Sequence, residues 1–284
     1  ERFEEAVSHY RRAAELDPNP VSLQGLANAY WEIGERDSTV QILARAIEVD
    51  DSYAPIHFSL SAIAEELQDL DKARRHIHDA VALDSTNVDY QLSAGVIDYK
   101  LALYDEARDH LQQVLAAEPM NHTALYNYGQ ALQRSGQREE GARYLELAET
   151  AREQDRALAL LRQAVANNPT NAQNQLALAR TLHGIGRLDE ALRAYKAADL
   201  LSPGNAQIRH AIATLHLERG DLEEAIRRYR SIIATDTLPE AWLNLGLAYA
   251  RMDSLERAHA VWREAGKRFP DHPAVVQVLE RIGD

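Results

Sequence analysis

Histidine is the residue type through which this chain could do chemistry, because imidazole serves both as a metal ligand and as a general base near neutral pH. The 284-residue sequence contains 11 histidines and no cysteine. His76 and His78 lie two positions apart in a predicted helix and therefore point to different faces, so they cannot chelate one ion. No histidines are spaced i,i+4, and the sequence has no HExxH motif and no glycine-rich phosphate loop. The sequence therefore predicts no metal site and no other cofactor.

Nucleophilic catalysis is the other chemistry to consider. No Ser, His and Asp stand on the strand-to-helix elbows that nucleophile motifs require. We therefore expect no catalytic residues and a protein that is not an enzyme. Recognition of another molecule is then the expected activity.

Charge is unevenly distributed along the chain. Residues 1–150 contain 27 acidic and 13 basic side chains, a net charge of −14, whereas residues 151–284 contain 17 and 18, a net charge of +1. The acidic half argues against a nucleic-acid partner, whose phosphates require a basic surface, and could attract a basic protein surface. No run of about 18 apolar residues predicts a membrane span.

The compartment stays open, because proteins without cysteine occur on both sides of a membrane. The 27 arginines against 4 lysines are typical of a GC-rich bacterial genome. A bacterial cytoplasmic location and an exported one both fit. The first residue is Glu1, inside a predicted helix, so we expect the native chain to continue upstream.

A small–large–small triplet of residues, with steps of four and three, recurs nine times along the chain. In one such triplet, Ala73, Ile77 and Ala80 share a helix face, and the small residues let a neighbouring helix approach closely. Neighbouring triplets are about 34 residues apart, a length typical of helix-pair repeats. The exception is the short spacing from Gly141 to Ala157. The first members of the nine triplets are Ala6, Thr39, Ala73, Ala107, Gly141, Ala157, Ala191, Ala225 and Ala258.

Helix-breaking residues fall between these triplets. Glycines stand in the intervening turns and prolines follow most pairs, as is typical of helix ends. Together with the regular spacing, this pattern predicts repeated pairs of antiparallel helices.

Two stretches make a family resemblance specific: "ALYNYGQALQRSGQREEGARYLELA" and "WLNLGLAYARMDSLERAHAVWREAGKRFP". They resemble tetratricopeptide repeats, and the resemblance extends over essentially the whole chain. It implies an all-α fold, a right-handed superhelical solenoid of antiparallel helix pairs with a concave groove.

Some positions depart from the family pattern. His57, Gln175, Arg209 and His216 stand where the pattern has bulky apolar residues. Residues 88–107 fit only with a one-residue slip, and their turn lacks glycine. Since the stability of a solenoid is roughly a sum over neighbouring repeats, we expect these repeats to be locally less stable.

The short spacing from Gly141 to Ala157 places two second helices in succession with no first helix between them. Either residues are absent near 150, or one long helix spans residues 142–168; the second interpretation is favoured, because this stretch contains no Gly and no Pro. Its centre is polar all round, as expected for a helix exposed between two packed units. We therefore predict an acidic sub-solenoid at 1–150, which starts mid-repeat, and a second at 151–284, which ends in a capping helix at 273–283.

The resemblance also implies which residues face a partner, because in this family the first helix of each pair lines the groove. Amide side chains there could grip a peptide backbone, and aromatic rings could anchor a partner side chain. No lysine occupies these positions, so we do not expect the carboxylate clamp of chaperone-binding members. The predicted groove residues are Asn28, Glu32, Phe58, Glu65, Tyr126, Asn127, Gln130, Arg134, Arg180, His183, His210, Thr214, Asn244 and Arg251.

Three hypotheses for the function follow. The first is a non-enzymatic scaffold that binds a protein or peptide partner in the groove. The second is a structural subunit that assembles into a homo-oligomer or filament, since unlike surfaces can build open assemblies. The third is an adaptor region of a larger exported or enzymatic protein.

Overall fold

Residues 2–235 and 238–283 are described by a computed structural model, and every regular element within them is an α-helix. The chain forms two compact units, Glu1–Glu153 and Gln154–Asp284. The helices of the first unit are α1 (Arg2–Leu16), α2 (Pro20–Glu32), α3 (Arg36–Val49), α4 (Ala54–Glu66), α5 (Leu70–Leu83), α6 (Val88–Lys100), α7 (Tyr104–Ala117) and α8 (His122–Arg134). Helix α9 (Arg138–Asn167) crosses the division, and the second unit continues with α10 (Ala172–Gly184), α11 (Leu188–Leu201), α12 (Ala206–Glu218), α13 (Leu222–Thr235), α14 (Pro239–Arg251), α15 (Leu255–Arg268) and α16 (Pro273–Ile282). The predicted all-α solenoid of helix pairs is confirmed.

Helix boundaries follow from local sequence. Asn87, Asn121 and Asn205 stand immediately before α6, α8 and α12, and the side chain of each accepts a hydrogen bond from a backbone N–H of the first turn. The turn after α8 contains Gly136 at φ 92°, a left-handed conformation that glycine adopts without strain. Ala102, in the turn after α6, adopts φ 61° without that advantage.

The core of the first unit is built from the triplets. Ala73, Ile77 and Ala80 are fully buried on α5, and the bulky Leu111 is fully buried on α7.

The one-residue slip expected for residues 88–107 is wrong. Helix α6 begins at Val88, which follows the start of α4 at Ala54 by the same interval at which it precedes the start of α8 at His122. The register is held because Asn87 caps α6 and Ala102 accepts the left-handed turn conformation in place of glycine.

The core of the second unit is apolar and aromatic. Tyr195 on α11 and Tyr229 on α13 occupy the bulky position of their triplets and are 2% and 0% exposed. Val275 on α16 packs against Trp242 and Ala265, so that the last helix covers the preceding pair.

The long helix predicted for residues 142–168 is confirmed as α9, which begins earlier, directly after the Gly136 turn. Ala148 and Ala151 in its first half are buried in the first unit, and Leu158 in its second half is buried in the second. Ala157, the first member of the sixth triplet, is exposed instead of packed. Within the described residues, no helix combines the length and apolarity needed to cross a lipid bilayer.

Candidate functional site

The predicted groove residues all lie on the first helix of a pair, and none of them is buried. These first helices are α2, α4, α8, α10, α12 and α14. Those that are exposed are Asn28, Glu32, Tyr126, Arg134, Arg180 and Arg251. Those that are half-buried are Phe58, Glu65, Asn127, Gln130, His183, His210, Thr214 and Asn244.

A concavity of about 440 Å³ lies between α8 and α9 in the first unit. Its lining combines predicted groove residues with side chains of α9 that the sequence did not single out: His122, Thr123, Tyr126, Asn127, Leu145, Ala148, Glu149 and Arg152. Tyr126 is 51% exposed there, a large fraction for an aromatic side chain. We call this concavity the α8–α9 cleft.

Two glycines bring the walls of the α8–α9 cleft together. A Cβ added to Gly129 on α8 would lie 2.9 Å from the carbonyl oxygen of Gly141 on α9, and a Cβ on Gly141 would lie 2.6 Å from the carbonyl oxygen of Gly129. Real Cβ atoms essentially never approach so closely, so the two backbones can pack at this distance only because both residues are glycine. This close packing places the side chains of α9 beside the groove residues of α8.

Two further concavities include predicted residues. Gln130 and Arg134 line one of about 290 Å³ next to the α8–α9 cleft. In the second unit, Arg180 and His183 line one of about 510 Å³, where His183 Nε2 lies 2.8 Å from Oε2 of Glu218.

Several predicted groove residues bind the neighbouring repeat. Lys100 Nζ donates to Glu65 Oε1 at 2.5 Å, and Arg251 Nη1 donates to the carbonyl oxygen of Leu217 at 3.0 Å. Asn244 Nδ2 lies 3.3 Å from His210 Nε2. These residues hold adjacent first helices together, so fewer of their polar atoms are left for a partner.

Among the described residues, two groups of three potential metal ligands lie together in the first unit. His57 on α4 with His76 and Asp79 on α5 form the first group, which we call the His57 cluster. A ring nitrogen of each histidine and a carboxylate oxygen lie within 4.8 Å of one another.

The second group, the Asp98 cluster, contains His78 on α5, Asp98 on α6 and His110 on α7. Asp98 is fully buried, and Arg74 Nε donates to its Oδ1 at 2.6 Å while His78 Nε2 lies 3.2 Å from its Oδ2. His110 Nδ1 donates to Gln91 Oε1 at 2.6 Å. This arrangement is a satisfied ion-pair network that joins three helices.

The charges in these clusters are set by burial and by partners. Burial opposes ionisation of Asp98, but the hydrogen bonds from His78 and Arg74 outweigh it and hold the pKa of this carboxyl below its ordinary value. Burial, with a smaller contribution from His78, lowers the pKa of His110. Burial, with a smaller contribution from His57, lowers the pKa of His76. Both His76 and His110 are therefore favoured in the neutral form that binds metals or accepts hydrogen bonds.

Neither cluster follows from the spacing of histidines along one helix, because the members of each lie on different helices. His76 and His78 do point to different faces, and each meets partners that lie on a neighbouring helix. One signal was available: His57 stands where the repeat pattern has a bulky apolar residue.

Family models described as tetratricopeptide repeat match residues 92–155, residues 150–215 and 186–242, and residues 240–272. Together these matches extend over residues 92–272, more than half of the chain, and the triplet pattern continues before them at Ala6, Thr39 and Ala73. The chain belongs to the tetratricopeptide-repeat family.

Similar solved structures include MamA, with 21% identity and a TM-score of 0.48 over 54% of this chain and 90% of that chain. YrrB, described as a TPR protein with an unusual peptide-binding site, has 21% identity and a TM-score of 0.31 over 84% and 97%. Pseudomonas aeruginosa pilF has 18% identity and a TM-score of 0.38 over 82% and 92%. No curated protein sequence matches the chain significantly. At these identities and TM-scores, none of the likenesses assigns a function.

Proposed function

We propose that this chain is a non-enzymatic scaffold that binds an extended segment of a protein partner along its first helices, with the α8–α9 cleft as the anchor point. The observation that carries this proposal is the cleft itself, since about 440 Å³ is enough for one large side chain of a partner. Tyr126 contributes an exposed ring at its rim. Exposed aromatic residues beside a concavity are frequent anchors of protein interfaces.

The chemistry of the cleft suits a peptide. Leu145 and Ala148 supply apolar walls from α9. Asn127 Nδ2 donates to the carbonyl oxygen of Thr123 at 2.8 Å, which directs its Oδ1 away from its own helix. That oxygen can accept a backbone N–H of the partner without regard to the partner's sequence. Arg152 Nη2 donates to Glu149 Oε1 at 2.8 Å, so both charges are present at the rim.

A displayed library of random peptides tests the proposal. Peptides selected on the wild-type chain are then measured by fluorescence anisotropy against Tyr126→Ala and against the combined variant Asn127→Ala, Gln130→Ala, Arg134→Ala. We expect each variant to weaken binding by about tenfold or more, the typical cost of truncating an interface anchor, with unchanged helicity.

Leu200→Ala is the matched control, because Leu200 is 82% exposed on α11, outside the cleft. It should bind the selected peptides as the wild type does. A library that yields no binder, or binders that tolerate both cleft variants, contradicts the proposal.

Assembly of the chain with itself is a second candidate, favoured by the charge difference between residues 1–150 and residues 151–284, which we propose as sub-solenoids with unlike surfaces. Light scattering at several protein concentrations and two salt concentrations distinguishes the candidates. A mass that grows with concentration and falls with salt supports charge-driven assembly. The mass of one chain throughout argues against it.

A further inference from the structure

We propose that His57, His76 and Asp79 form a binding site for a divalent transition-metal ion of the zinc type. The site lies between the two helices of one repeat, with one ligand on α4 and two on α5. It is independent of the peptide cleft, which lies on α8 and α9.

The tautomer of His57 is fixed by its surroundings. His57 Nε2 lies 2.8 Å from the carbonyl oxygen of Asp51, and because a carbonyl can only accept, this nitrogen carries the proton. In the neutral ring Nδ1 then bears a lone pair. A second hydrogen bond that fixes a ligand histidine in this way is the usual support around a metal ion.

The unprotonated nitrogen of His57 lies close to the Asp79 carboxylate. Within the described residues, Nδ1 of His57 and Nδ1 of His76 are both buried and have no hydrogen-bond partner. His57 Nδ1 lies 3.6 Å from Asp79 Oδ2, and the His57 side chain is 10% exposed. Without a donor or a cation beside it, the buried Nδ1 lone pair of neutral His57 stays unsatisfied.

The spacing of two of the ligand atoms fits a small metal ion, and all three lie within 4.8 Å of one another. Two nitrogen or oxygen ligands of one tetrahedral zinc ion lie about 3.4 Å apart, given bonds of about 2.1 Å. The 3.6 Å between His57 Nδ1 and Asp79 Oδ2 is close to this value and too long for a hydrogen bond. Two imidazoles and one carboxylate are a common ligand set for zinc, with a fourth position left to water.

The surroundings allow an ion to enter. The Asp79 side chain is 58% exposed, so the cluster opens to solvent on the side of its carboxylate. Residues 1–150 carry a net charge of −14, which raises the local concentration of cations. The chain has no cysteine, so no thiolate competes for the ion.

Titration of the untagged full chain with Co²⁺ tests the proposal, because four-coordinate Co²⁺ gives intense visible absorption that Zn²⁺ abolishes on displacement. We expect one Co²⁺ per chain. His57→Gln and Asp79→Asn should each weaken binding by about tenfold or more. Glutamine is the residue that the next repeat carries at this position, as Gln91, so His57→Gln should fold.

His110→Gln, in the Asp98 cluster, is the matched control and should bind Co²⁺ with wild-type affinity. Thermal unfolding with and without Zn²⁺ provides a second measurement, in which only variants with an intact His57 cluster should gain stability. Absence of specific Co²⁺ absorption, binding that His57→Gln and Asp79→Asn leave unchanged, or loss in His110→Gln alone overturns the proposal.

Discussion

Two consecutive repeats of this protein carry a histidine at the same position of the second helix, but the hydrogen bonding of this histidine differs between them. His76 on α5 and His110 on α7 occupy equivalent positions of their helices. Facing them on the first helices are His57 and Gln91, which are likewise equivalent, and each bonds a backbone carbonyl at the preceding turn, of Asp51 and of Ser85. The two repeats differ at this facing residue and at the position of Asp79, which is Gln113 in the next repeat.

The facing side chain is hydrogen-bonded to the histidine in one repeat and not in the other. Gln91 has a donor and an acceptor, so after bonding the Ser85 carbonyl it still accepts from His110 Nδ1. His57 offers an acceptor too, the Nδ1 lone pair of its neutral ring, but within the described residues neither this nitrogen nor His76 Nδ1 has a hydrogen-bond partner. The same backbone thus supports a potential ligand set in the α4–α5 repeat and a structural hydrogen bond in the α6–α7 repeat.

The largest expected effect comes from disrupting the Asp98 cluster. Asp98→Ala removes a fully buried carboxylate that Arg74 and His78 bind. We expect a loss of about 3 kcal/mol in the free energy of unfolding, as for a buried pair that loses one partner. Urea denaturation monitored by circular dichroism measures it.

Asp98→Leu separates charge from packing. Leucine occupies the equivalent position of the next first helix, α8, as the buried Leu132. Because Arg74 and His78 are 35% and 34% exposed and can be hydrated once unpaired, Asp98→Leu should cost about 1 to 2 kcal/mol less than Asp98→Ala. Equal losses would show that the ion pair, and not the space it fills, dominates.

The pH dependence of stability isolates the ionised form of Asp98. Its folded pKa lies below the unfolded value, so its stabilisation is fully present above the ordinary aspartate pKa of about 3.9 and is lost as pH falls through the folded value. The stability of the wild type relative to Asp98→Leu should fall as pH is lowered from about 5 toward 3. A difference independent of pH would contradict the assigned network.

The next test is to build the ligand set of the His57 cluster into the following repeat, α6–α7. Gln91→His with Gln113→Asp reproduces in the α6–α7 repeat the residue types of His57 and Asp79. We expect a second Co²⁺ ion per chain and an added stabilisation of about 1.4 kcal/mol at a Zn²⁺ concentration tenfold above its Kd. Gln113→Asp alone is the control and should bind one ion; one ion in the double variant would show that residue types do not suffice.

The smallest effect concerns the turns of the same two repeats. Gln68 and Ala102 adopt φ 62° and 61° where the following repeat has Gly136. Gln68→Gly and Ala102→Gly should each stabilise the chain by about 0.5 kcal/mol, because relief of left-handed strain exceeds the entropy that glycine loses on folding. Gly136→Ala should destabilise by a similar amount. Chemical denaturation of the three variants measures these changes in stability. Unchanged stability in all three would show that the turns are not strained.

The repeat pattern was predictable from sequence because it is local. Triplets such as Ala73, Ile77 and Ala80 recur at a regular interval and mark the helix face that packs. The long helix α9 was predictable from the short spacing of two triplets and from the lack of Gly and Pro. The one-residue slip predicted for residues 88–107 was wrong, because α6 keeps the regular interval between the starts of α4 and α8.

The sequence by itself determined the helices, their pairing and the family, since each depends on residues within one turn or one repeat. Only the tertiary structure brought His57 to His76, Asp98 to His110 and Tyr126 to Leu145, because these contacts join different helices. The tautomer of His57 depends on a carbonyl of the preceding turn. The hydrogen bond to His110 in the next repeat depends on the orientation of the Gln91 amide. Such properties follow from the distance and orientation of atoms on separate helices, which residue spacing along the chain does not specify.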